Sequence, residues 1–123
     1  MTSVQCMQKT IDKFSKEPDF PHNYCNVASK QLLELLQNEG KDARLQFSYL
    51  EKGEGHAFVV EKLETGKEII LDPTYAQYDA NYQGKGFVGE QFPDKLLEQH
   101  RCEADAFLQE QRRWYQEGVY DRS

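Results

Sequence analysis

Paired cysteines, long apolar runs and an excess of basic charge are all missing from this sequence. Its three cysteines, Cys6, Cys25 and Cys102, are odd in number and widely spaced, with no C-x-x-C pair. That arrangement argues against a disulfide framework or a zinc ribbon and leaves at least one thiol free. No stretch approaches the ~20 consecutive apolar residues that span a bilayer. Polar residues interrupt Met1 to Phe14, where a secretory signal needs an unbroken apolar run. The expected location is therefore cytoplasmic by default, or a host or target cell reached without a cleavable signal. With 15 basic against 21 acidic residues and a net charge of −6, no basic stripe exists to neutralise phosphates. Neither nucleic acid nor a membrane is an expected partner.

What is present suffices for one folded domain. Hydrophobic residues make up 38% and aromatic residues 12% of the 123. A chain of that length buries roughly two thirds of its unfolded surface, enough for a single core. No repeat or linker divides it, so residues 1–123 are read as one domain.

Val4, Met7, Ile11 and Phe14 recur at helical spacing until Pro18 and Pro21, which predicts an amphipathic helix over residues 3 to 15. A second helix is expected from Tyr24 to Asn38, with Asn23 as N-cap, Leu32, Leu33, Leu35 and Leu36 on a wide apolar face, and Gly40 as its stop. The period then changes to two. Leu45, Phe47 and Tyr49 alternate with polar residues, and strands over His56–Leu63 and Glu68–Asp72 flank the turn-prone Glu64-Thr65-Gly66-Lys67. Residues 73–93, rich in aromatics and glycine, read as a long irregular substrate-facing loop, and Asp94 to Tyr120 as helical, broken near Arg101 to Ala104. The expected class is α+β: a central helix bearing a cysteine, packed on a small antiparallel sheet, with further C-terminal helices.

Cys25 opens the second helix. There the helix dipole and the unpaired N–H groups of the first turn favour a thiolate and can meet an oxyanion. Asn23 and Gln8 are side-chain candidates for the same oxyanion role. His56 begins one strand behind Gly53 and Gly55, and Asp72 ends the next. If Phe58 faces Ile70 and Ala57 faces Leu71, every central pair is apolar and His56 lies opposite Asp72, with Cβ atoms roughly 5 Å apart. A tighter turn that paired Val59 with Asp72 would send the histidine and the acid to opposite faces. Nucleophile, base and orienter are thus available in the order Cys25, His56, Asp72. Tyr75, Tyr78 and Tyr82 are substrate-binding candidates in the loop.

The segments Tyr24-Cys25-Asn26-Val27-Ala28-Ser29, Gly55-His56-Ala57-Phe58-Val59-Val60 and Ile70-Leu71-Asp72-Pro73-Thr74-Tyr75 resemble the transglutaminase-like branch of the papain-like cysteine enzymes. The likeness covers residues 20 to 80. It implies a papain-like/transglutaminase-like fold, Cys25, His56 and Asp72 as catalytic residues, and a thioester intermediate. It also implies a protein substrate, attacked at a glutamine side chain or a peptide bond. Asp19 stands six positions before the cysteine, where papain carries its oxyanion glutamine, which disfavours papain-type proteolysis. Small size favours a glutamine deamidase of the bacterial effector or toxin type over a cysteine protease or a transglutaminase.

Two other readings compete. His22 and Cys25 have ligand-like spacing with His56 as a third ligand, but only three ligands are evident, His22 lies in a polar loop beside two prolines, and the Asp72 pairing would go unexplained, so neither a metal nor a cofactor is expected. A non-catalytic module that binds protein through the aromatic loop 73–93 would need no activated thiol. His100 and Cys102 are read as solvated or partly packed, without a functional role.

Overall fold

The computed structural model describes residues 1–22, 24–49, 55–93, 113, 114 and 116–118. Helix α1 (Ser3–Phe14) starts at a capping box. The Thr2 hydroxyl accepts from the Gln5 N–H (3.1 Å) while the Gln5 side chain accepts from the Thr2 N–H (2.8 Å). Its inward seam is Cys6, Met7, Thr10, Ile11 and Phe14. Val4, expected on the seam, is exposed. Thr10 is buried instead, because its hydroxyl donates to the Cys6 carbonyl at 3.0 Å.

Helix α2 (Cys25–Asn38) has Tyr24 as N-cap, without a side-chain capping bond. The sequence-based N-cap, Asn23, lies outside the described residues. Val27, Ala28, Ser29, Leu32, Leu33 and Leu36 are buried. The helix stops in a Schellman turn, where Lys41 N–H donates to Leu36 O (3.0 Å) and Gly40 N–H to Gln37 O (3.0 Å).

Strands β1 (Asp42–Tyr49), β2 (Gly55–Lys62), β3 (Glu68–Asp72) and β4 (Phe87–Gly89) form one antiparallel sheet in the order β1-β2-β3-β4. Alternation along β2 and β3 sorts the side chains. Ala57, Val59 and Leu71 join the helical core with Met7, Ile11, Ala28, Leu32 and Leu36. On the opposite face, Ile70 packs against Tyr75 and Phe87, with Tyr78, Tyr82 and Phe92 around them. The result is a small α+β domain whose helices cover one face of the sheet and whose aromatic cluster lies against the other.

The β2–β3 register differs from the expected one by two positions: Val59 pairs with Leu71, Val60 with Ile70 and Lys62 with Glu68. The turn decides this. Leu63 N–H donates to Lys67 O (2.8 Å), closing a three-residue loop whose last member, Gly66, has φ +88°. Such a loop wants a left-handed residue there. An even shift keeps every side chain on its face, so the apolar pattern is satisfied in either register and cannot choose between them. His56 and Asp72 remain on one face, now as diagonal rather than direct neighbours.

Residues 73–93 are more regular than expected. They hold two short 3₁₀ turns, Tyr75–Gln77 and Ala80–Tyr82, and β4, which pairs with β3 through Asp72 and Phe87. A three-residue strand, Phe-Val-Gly, is too short to show a period. Among the described residues there is no full C-terminal helix. The helical region expected there, with His100 and Cys102, falls mostly on residues outside the description, and Arg113, Trp114 and 116–118 form a single helical turn. Trp114 packs against the cluster of Phe14, Val27, Ala28, Phe47 and Ala57. No helix among the described residues is long and apolar enough to cross a membrane.

Candidate active site

The start of β2, the end of β3 and the start of α2 meet at one end of the sheet. His56 Nε2 lies 2.7 Å from Asp72 Oδ2, and both side chains are fully buried. Asp72 is held in turn. Its Oδ1 accepts from the Thr74 N–H (3.0 Å) and the Thr74 hydroxyl (3.2 Å), and the Gln77 amide donates to that hydroxyl (3.2 Å). Asp-Pro-Thr thus folds back on its own carboxylate, an Asx-type turn with the proline fixing the middle residue. Gly86 makes room for it: a Cβ there would stand 2.6 Å from the Asp72 carbonyl oxygen.

Burial by itself pushes the His56 imidazole towards the neutral form. The charge of Asp72 and its hydrogen bond outweigh that, and a hydrogen bond and charge from Cys25 add to them, so the pKa is pushed up to about 10. A pKa shifted that way favours the imidazolium at neutral pH, the form in which both ring nitrogens donate. Nε2 is committed to Asp72, which leaves Nδ1 as the ring nitrogen open to a further partner. The Tyr78 hydroxyl lies 3.4 Å from the same nitrogen.

Cys25 is half-buried, with its Sγ 3.9 Å from Asn26 Oδ1. One turn further along α2, the buried Ser29 hydroxyl donates to the carbonyl of Ala57, the residue after His56, at 3.1 Å. Residues four apart share a helix face, so this bond sets how far the helix start sits from the strand start. Ser29→Ala is expected to cost about 1–2 kcal/mol of stability. It is also expected to slow Cys25 alkylation roughly tenfold through misplacement of the thiol. Urea titration and alkylation kinetics read the two effects separately.

Cys25, His56 and Asp72 are therefore brought together. The other candidates separate. Tyr78 reaches the imidazole, edge-on at 5.2 Å between ring centroids. Tyr75 is fully buried, stacked on Phe92 at 5.3 Å and edge-on to Tyr82 at 4.9 Å, so it is a core residue and presents nothing to a substrate. Tyr82 packs on Tyr75 and Phe87, under the Lys85 ammonium. Gln8 is exposed and its amide donates to Asp12 Oδ1 (2.9 Å) and Gly84 O (3.0 Å), which ties α1 to the glycine turn rather than serving an oxyanion. Asn23 lies outside the described residues. His22 is exposed, and among the described residues no three His, Cys, Asp or Glu side chains are grouped as metal ligands.

Sequence reasoning missed Ser29, Thr74, Gln77 and the rings of Phe58 and Phe92, which flank His56 at 5.8 and 6.4 Å. Only Thr74 left a readable signal, since a hydroxyl residue two places after Asp completes the local turn. Comparison with protein families, with curated proteins and with solved structures finds no match to this chain.

Proposed function

We propose that this chain is a thiol-dependent acyl-transfer enzyme of the papain-like, transglutaminase-like kind, acting on carboxamides through Cys25, His56 and Asp72. The observation that carries the reading is the fully buried His56–Asp72 pair, 2.7 Å apart, at the end of the sheet where helix α2 starts with the half-buried Cys25. Outside such chemistry a fully buried His–Asp pair ending on a half-buried cysteine has little to do, since burying two charges is seldom the most stable choice. In the reaction the Cys25 thiolate attacks a carboxamide carbonyl while the first-turn N–H groups of α2 face the oxyanion. His56 Nδ1–H protonates the departing amine, and Asp72 holds the ring in the orientation that allows it. Water resolving the thioester on a glutamine side chain gives deamidation, the form best suited to a domain this small with a protein substrate.

The test is site-resolved alkylation. At neutral pH iodoacetamide is expected to label Cys25 and to spare Cys6, which is fully buried and whose thiol burial pushes up, with Glu39 adding to it. His56→Ala is expected to slow labelling of Cys25 by about tenfold or more. Equal rates in the two proteins, read by mass spectrometry after a short pulse, would remove the thiol–imidazole reading. Ammonia release from glutamine-containing proteins then screens for substrate.

A further inference from the structure

We infer that Tyr78 restricts the amine handled at His56 to ammonia or one of similar size, so that the substrates are primary carboxamides and not secondary amides of a peptide backbone. The inference rests on the acyl-transfer reading and concerns which bond that reading breaks. The His56 side chain is fully buried and Nε2 is taken by Asp72, so only Nδ1 can pass a proton to a leaving group. A leaving nitrogen must come within ~3 Å of it.

The space around Nδ1 is already bounded. Phe58 stacks against the imidazole on the strand side, Phe92 covers it at 6.4 Å, and the Tyr78 ring stands edge-on with its hydroxyl 3.4 Å from Nδ1. Tyr78 is not a loosely hung side chain. Its backbone N–H closes the 3₁₀ turn on Tyr75 O at 2.9 Å, and its ring packs against Tyr75. Phe92 is held by Phe58, Tyr75 and Phe87.

Ammonia, about the size of a water molecule (~30 Å³ in the liquid), asks for the least room beside Nδ1, where it would accept the proton and give an N–H to the Tyr78 oxygen. A peptide nitrogen carries a Cα and a continuing chain, which would have to pass the Tyr78 ring that stands edge-on to the imidazole. In the step itself Cys25 Sγ bonds to the carbonyl carbon, the C–N bond breaks, the Nδ1 proton moves to nitrogen and ammonia departs. Water then adds to the thioester and returns a proton to Nδ1. This leaves the carboxylic acid and restores the thiolate–imidazolium pair.

The experiment does not need the natural substrate. Cys25 is acetylated with p-nitrophenyl acetate, and the acetyl-enzyme is partitioned between water, hydroxylamine, ammonia and glycinamide. Each rate is divided by that amine's rate with a free thioester. An attacking amine uses the same space as a leaving one. Wild type is expected to transfer acetyl to hydroxylamine and ammonia and to discriminate against glycinamide by roughly tenfold to a hundredfold, and Tyr78→Ala to lose most of that discrimination. Tyr78→Phe, which keeps the ring and its packing, is expected to retain it. Wild type accepting glycinamide as readily as hydroxylamine overturns the inference while the acyl-transfer reading stands. Absence of His56-dependent acetylation of Cys25 overturns both.

Discussion

Asp72→Asn is expected to remove the pH dependence of stability that the His56–Asp72 pair predicts for the wild type between about pH 7 and 10. The folded protein holds the His56 proton up to about 10, whereas the unfolded chain releases it near 6.5. The folded state therefore binds more protons across that window, and stability must fall as pH rises through it. The contribution of the pair is complete below about 6.5 and gone above about 10. With asparagine at position 72 the opposing charge is absent, burial drives the imidazole neutral, and the slope disappears. Urea midpoints for the two proteins at several pH values give the difference, in which the titration of lysines and tyrosines cancels. Asp72→Ala goes further, because it leaves His56 without its partner and the Thr74 hydroxyl and N–H without their acceptor. Breaking a buried pair from one side costs on the order of 3–5 kcal/mol, which should lower the melting temperature by roughly 10–25 °C.

The second large effect is on turnover. Once a carboxamide substrate is in hand, Cys25→Ala should abolish ammonia release, and His56→Ala should lower it by roughly 10³–10⁴-fold. Cys25→Ala should leave the fold intact, since the position is only half-buried at a helix start. The double variant should be no worse than Cys25→Ala alone, because residues that act as a unit are not additive. Activities that multiply instead would mean that His56 and Cys25 act independently, contrary to the proposed proton transfer at Nδ1. His56→Ala also strands Asp72, so its melting curve must accompany its kinetics and only the folded fraction counts.

Much of the scaffold is legible in the sequence itself. Among the described residues, both helices and three of the four strands follow from periods of 3.6 and 2, and Gly40 marks the helix stop by its residue type. Placement of Cys25 at a helix start, His56 at a strand start and Asp72 at a strand end came from the same patterns. The register of β2 on β3 did not, because shifting by two preserves every inward and outward assignment and only the three-residue loop ending at Gly66 separates the alternatives. Strand β4 escaped because it is three residues long.

The tyrosines show the same boundary at the level of single side chains. Composition marked Tyr75, Tyr78 and Tyr82 alike as aromatic loop residues. Only the packed structure buries Tyr75 under Phe92, sets Tyr82 on the Tyr75 and Phe87 rings, and turns Tyr78 to Nδ1 of His56. By itself the sequence determined which residues lie on which element and face, since that depends on local backbone period and on apolar side chains seeking a core. Tertiary structure decided the distances: how far Ser29 draws α2 towards β2, how Thr74 clamps Asp72, and which ring borders the imidazole. These depend on contacts between residues remote in the chain, whose geometry is fixed by close packing rather than by any property of the residues taken one at a time.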